Sequence, residues 1–135
     1  MIIPPLSSAS RNKLNSNINT KANKLFKFEG VANSDYCKTI FDNVFLVDLQ
    51  NKRVDFHFVF KANKTITNWS QVCKLPNEIV EDSAGYNGIA FSNGKIGICY
   101  ISPSNNRFLC PCSIDAPVDS VVNLFGSFSI TKILY

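Results

Sequence analysis

The chain has 135 residues, of which 45% are hydrophobic and 12% aromatic, enough apolar surface to bury the core of one domain. Its net charge is +4, but the Lys and Arg residues are scattered and form no basic run, which argues against a nucleic-acid partner. No stretch approaches the roughly 20 apolar residues of a membrane-spanning helix, so no membrane insertion is expected.

Met1-Ile2-Ile3-Pro4-Pro5 offers neither a basic n-region nor a continuous apolar h-region, and a soluble chain without its own secretion signal is expected. The five cysteines, Cys37, Cys73, Cys99, Cys110 and Cys112, are an odd number and are expected to be free thiols in a reducing cytoplasm. Ser7 to Lys24 is rich in Ser, Asn and Lys, with Leu14, Ile18, Ala22 and Leu25 at near-helical spacing. Residues 1–24 therefore read as an N-terminal arm, either flexible or a short stalk helix, and residues 25–135 as the folded domain.

From Leu25 onward the apolar period is two. Phe26 and Phe28 alternate with Lys27 and Glu29, and Asn43 to Leu49 reads as a strand. Gln50-Asn51-Lys52 supplies a turn before the clearest alternation in the chain, where Val54, Phe56, Phe58 and Phe60 face one way and Asp55, His57 and Lys61 the other. Trp69, Gln71, Cys73 and Leu75 alternate until Pro76 ends the ladder, and this pattern puts Trp69 in the core. Asn77 to Gly85 reads as a loop. Asn87 to Phe91 and Lys95 to Ile101 flank Ser92-Asn93-Gly94, a strong hairpin signal because both central residues of a type I′ turn need positive φ. After the polar turn Ser102 to Asn106, Arg107 to Cys112 and Ser120 to Ile133 complete the pattern. Short strands, frequent turns and almost no helix predict an all-β fold, an antiparallel β-sandwich of jelly-roll-like form.

The order of these elements resembles the C-terminal receptor-binding or tip domains of tailed-phage tail fibres and baseplate proteins. The resemblance rests on the aromatic strand Phe56 to Phe60, Trp69, Leu75-Pro76, the Asn93-Gly94 hairpin and Phe125-Gly126-Ser127-Phe128, a little over half the chain. Where those domains place Gly and a second Pro after Leu-Pro, this chain has Asn77-Glu78-Ile79-Val80. The resemblance implies a β-sandwich that trimerises on a virion assembled in the host cytoplasm, docks on other virion proteins through its arm and attaches to a host-surface glycan. A structural head fibre or capsid decoration without a ligand is the alternative, and a small glycan-cleaving enzyme the third reading. Ligand contacts vary among such domains, so it assigns no binding residue.

His57 is the only histidine, and Asp55 shares its strand face, but an Asp and a His on a solvated face need no catalytic role. Cys110-Pro111-Cys112 has the wrong spacing for a zinc knuckle, even with Cys73, Cys99 or His57 as further ligands, so no metal and no cofactor is expected. Glu78, Glu81, Asp82 and Asp115 fall in apparent loops and form no recognisable pair, and no catalytic residue is assigned. Tyr36, Tyr86 and Tyr100 are expected to be exposed and, with Trp69, are of the type that stacks on sugar rings, although Trp69 shares a face with Cys73 and Leu75 and is expected in the core. The candidate ligand contacts are Tyr86, Asn87, Asn105, Asn106 and Arg107. The last strand carries apolar residues on both faces, and Val121, Leu124, Phe125, Phe128, Ile130, Ile133 and Leu134 are the candidate homotrimer interface.

Overall fold

In the computed structural model, which describes residues 25–81, 87–101 and 107–134, the strand with the plainest alternation sits between two long neighbours. This is β4 (Arg53–Ala62), and its inward residues Val54, Phe56, Phe58 and Phe60 are all buried. Phe56 packs on Phe45 at 5.8 Å and on Phe128 at 6.0 Å between ring centroids, joining β4 to β3 (Cys37–Asp48) on one side and to β10 (Val121–Ile133) on the other. The β3–β4 hairpin closes through the Asp48 carboxylate, which accepts hydrogen bonds from the Asn51 backbone at 3.1 Å and the Asn51 amide at 2.7 Å.

The remaining strands are β1 (Leu25–Phe28), β2 (Val31–Ala32), β5 (Cys73–Lys74), β6 (Ile79–Glu81), β7 (Asn87–Ser92), β8 (Lys95–Ile101) and β9 (Phe108–Cys112). All pairings are antiparallel, and the hydrogen-bonded order is β1-β3-β4-β10-β7-β8-β9-β5-β2, with β6 pairing the far end of β10. The all-β antiparallel fold expected from the sequence is thus present, as one curled sheet whose concave face makes the core. No helix occurs among the described residues, and none is long and apolar enough to cross a membrane. The β7–β8 hairpin turns at Asn93 (φ 53°) and Gly94 (φ 77°), as the dipeptide predicted.

The curl is set at one point. β1 and β2 lie at opposite ends of the strand order, yet only Glu29 and Gly30 separate them in sequence. A chain that short spans at most about 11 Å, so the two ends of the sheet must meet. At the seam the ladder is interrupted, and Asn43 substitutes for it. Its Oδ1 accepts from Gly30 N–H at 2.8 Å, and its amide donates to Gly30 O at 2.8 Å. Asn33 extends the closure by donating from its backbone to Val72 O (2.9 Å) and from its amide to Gln71 O (2.8 Å).

Three local readings of the sequence are corrected. β3 begins at Cys37, six residues before the expected start, because register shifts between Cys37 and Thr39 and between Ile40 and Asp42 break the alternation. The expected 77–85 loop contains β6. Trp69 lies in a turn with φ 66° and is 58% exposed, since a left-handed residue cannot continue a strand into the core.

A Cβ on Gly30 would come within 2.5 Å of Cys73 Sγ and 2.8 Å of both Lys74 O and Phe45 Cε1. Gly30→Ala is therefore expected to lower stability by about 2 kcal/mol, a fall in Tm of roughly 8 °C. Gly94→Ala, whose Cβ would meet nothing within 4 Å but whose φ is positive, is expected to cost about 1 kcal/mol in the same thermal melts.

Candidate functional site

In the β7–β8 hairpin the usual sorting of side chains is inverted. The core side of these strands carries Gly88, Ala90, Gly97 and Cys99, while Ile89, Phe91, Ile96 and Ile98 point outward. The inner space is already occupied. A Cβ at Gly88 would lie 2.8 Å from Phe56 Cζ, and one at Gly97 would lie 2.4 Å from Cys112 O and 2.9 Å from Ile114 Cβ. A one-residue slip that brought the isoleucines inside would meet these atoms, so the register holds them on the surface.

Cross-strand pairing then assembles the outward residues into a continuous face. Directly opposed residues of antiparallel strands share a face. Phe125 opposes Ile89, which opposes Ile98, and Asn123 opposes Phe91, which opposes Ile96. Val121 extends the patch along β10. The six apolar residues, Ile89, Phe91, Ile96, Ile98, Val121 and Phe125, are between 39% and 70% exposed. A shallow depression of about 230 Å³ lined by Gly88, Ile89, Phe125, Gly126 and Ser127 lies in this face.

Polar groups rim it on the β4 side. His57 sits edge-on to Phe125 at 6.4 Å and pairs through Nδ1 with Asp42 Oδ2 at 2.5 Å; its partner is this carboxylate on β3, not Asp55. Arg53 donates to Ser127 Oγ at 2.6 Å. On the β8 side the face ends at Trp69, whose ring stacks on Tyr100 with centroids 5.5 Å apart and planes 22° apart. Elsewhere, an open cleft of about 710 Å³ lies beside the β3 bulge, lined by Lys27, Phe28, Glu29 and residues 40–44, but its Asn43 is spent on the Gly30 seam.

Tyr86, Asn105 and Asn106 lie outside the described residues, and Asn87 is placed only by its backbone, opposite Ser127. Arg107 turns inward. Its Nε donates to both Glu81 oxygens at 2.8 and 3.0 Å, and Nη2 donates to the carbonyls of Pro76 and Ile79. This guanidinium staples β6 to the start of β9. The seven interface candidates divide: Leu124, Phe128, Ile130 and Ile133 are buried in the core of their own chain, whereas Val121, Phe125 and Leu134 are exposed. Val121 and Phe125 belong to the apolar face, and Leu134 sits beside β6, donating its N–H to Glu78 O at 2.6 Å. Ile89, Phe91, Ile96 and Ile98 are not among the residues expected from the sequence, although the alternation of large and very small residues across Asn93-Gly94 carries the signal, and Trp69, expected in the core, is exposed.

Tyr36 is half-buried with the Lys64 ammonium 4.3 Å over its ring. All five thiols are buried, and none is in a disulfide. Cys110 and Cys112 share the side of Tyr100 and Ile98, while Cys99 opposes Pro111 and faces the core, so the three do not converge. Among the described residues no group of His, Cys, Asp and Glu is arranged to hold a metal. Burial pushes the Cys37 thiol up to about 12 and raises Cys73, Cys99 and Cys112 as well. These thiols act as small apolar groups rather than nucleophiles.

Because the folded pKa values lie above those of the unfolded chain, the unfolded state loses thiol protons first as pH rises. Stability is expected to fall above about pH 9, with each fully buried thiol adding a slope of about 1.4 kcal/mol per pH unit. Urea midpoints across that range should decline less steeply in Cys99→Ala than in the wild-type protein. Arg107→Ala is expected to cost about 2 kcal/mol in the same titration at neutral pH, because Glu81 and two carbonyls lose their donor.

Comparison of the chain with protein-family models, with curated proteins and with solved structures finds no match.

Proposed function

We propose that the chain is a non-enzymatic attachment module that works as a homotrimer, its copies covering one another's outer face. The observation that carries this reading is the contiguous apolar face of β10, β7 and β8. A large apolar side chain presents roughly 150–250 Å², so six at 39–70% exposure offer on the order of 500–600 Å². That is at the upper end for the largest apolar patch of a monomer and, with its polar rim, approaches the roughly 800 Å² that each partner contributes to a stable interface. The face has an apolar centre and a rim of His57, Asp42, Arg53 and Ser127, the anatomy of a protein–protein contact.

The resemblance to phage tip domains supports three copies, a place on a virion as the distal domain of a tail fibre or receptor-binding protein, and a host-surface glycan as the target. Residues 1–24 then serve as the arm that meets other virion proteins, leaving the sheet domain to project outward.

Sedimentation velocity of the full chain tests the assembly. The wild-type protein is expected to run as a trimer at micromolar concentration. Phe125→Arg places a charge in the middle of the face without entering the core, and is expected to give a monomer whose Tm differs by no more than about 4 °C from that of other monomeric surface variants, the shift of about 1 kcal/mol. A wild-type monomer, or a Phe125→Arg trimer, would remove the proposal.

A further inference from the structure

Trp69 is the only tryptophan of the chain, and it is held in an unfavourable backbone conformation without being buried. A left-handed residue with a large side chain is a genuine outlier, and such strain collects where a side chain is required in one position. The turn is braced from both sides. Trp69 donates its N–H to Pro111 O at 3.0 Å, Ser70 Oγ donates to Thr67 O at 3.0 Å and accepts from Thr67 N–H at 3.1 Å, and Asn68 Oδ1 accepts from Ser113 N–H at 2.7 Å. Tyr100 beneath it fixes the tilt of the indole. The result is a rigid aromatic plate on the surface, with little left to order when a ligand arrives.

The surroundings state which ligand suits it. The three segments that build the plate, residues 66–73, 96–101 and 108–114, contain no Asp, Glu, Lys or Arg. Phosphate groups would need Lys or Arg, and a cationic ligand gains most where acidic groups add to the ring quadrupole. What the turn does offer at its surface is hydroxyl and amide chemistry from Thr67, Asn68 and Ser113, while the buried Ser70 hydroxyl is spent on Thr67. An apolar plate in a turn that carries neutral hydrogen-bonding groups fits a molecule with a flat C–H face and a hydroxyl edge.

We propose that the Trp69–Tyr100 stack is a sugar-binding platform that takes the C–H face of a neutral pyranose ring. This inference rests on the attachment reading of the chain and names its contact point, away from the β10–β7 centre of the assembly face.

The full chain, titrated with neutral mono- and oligosaccharides of glucose, galactose, rhamnose and N-acetylglucosamine, reads the site directly through its single indole. A saturable change in tryptophan emission in the millimolar range is expected, with saturation-transfer NMR signals on ring C–H protons and no response to heparin. Trp69→Gly relieves the backbone strain while deleting the plate, so it is expected to keep the wild-type Tm or exceed it and to weaken binding about tenfold or more. Binding to a surface array of the same sugars separates the two levels of the proposal. Equal binding by wild-type and Trp69→Gly proteins overturns the platform and leaves attachment standing, whereas no sugar binding by the wild-type protein overturns both. Emission that follows protein concentration and not sugar places a second copy over Trp69, and overturns the platform as well.

Discussion

The architecture depends on the meeting of two sheet ends at Gly30. Because Glu29 and Gly30 alone join β1 to β2, the nine-strand path has to curl until its first and last strands meet at that two-residue link. Phe45 from β3 and Cys73 from β5 then approach Gly30 from both sides, closer than any side chain there would allow. Buried backbone groups left without a ladder are costly, and Asn43 satisfies both of those on Gly30 with one amide. Everything on the concave side is sealed by this closure, including Phe45, Phe58, Phe60, Leu75 and Leu124.

The same closure explains the outer face. Curling leaves a fixed interior volume, and Phe56 and Ile114 fill the part that lies under the β7–β8 hairpin. Gly88, Ala90, Gly97 and Cys99 are what fit on the inner side of that hairpin near its turn, and Ile89, Phe91, Ile96 and Ile98 are left on the convex side, while Ile101 at the end of β8 is buried. β10 shows the reason most plainly, with Val122 and Leu124 buried inward and Val121 and Phe125 exposed outward on one strand. A sheet whose two faces are both apolar has one core inside its own chain and a second surface that water disfavours. The proposed assembly with copies of itself would cover this second surface and leave the aromatic plate at the β8 margin free to meet a ligand.

The parts of this arrangement that were readable in the sequence are those with local causes. The alternation of Val54 to Phe60 and the Asn93-Gly94 turn each act within a few residues, and both appear where expected. The start of β3 was hidden because two register shifts cancel the period-two pattern over Lys38 to Phe41. Trp69 was read as core from its alternation with Cys73 and Leu75, and nothing in the identity of a tryptophan announces a positive φ. Arg107 looked like a turn residue free to contact a ligand, but its partner Glu81 lies 26 residues earlier on a three-residue strand that has no periodicity to detect. The seam at Gly30 is equally non-local, since the residues that require a glycine there sit on β3 and β5. Apolar residues on both faces of the last strand were visible, but which face is the core follows only from the direction of the curl.

In the proposed assembly, the convex face of β10, β7 and β8 is covered by copies of the same chain. That assembly is tested most directly by a distance between copies. Lys95 stands at the edge of the face beside the Asn93-Gly94 turn and is exposed, and the five native thiols are buried, so Lys95→Cys accepts a nitroxide label selectively. Pulsed dipolar spectroscopy of the labelled full chain is predicted to give one short, well-defined distance of the kind a closed cyclic trimer produces, lost on dilution with excess unlabelled protein. Absence of any dipolar coupling between labels at high protein concentration would contradict the account.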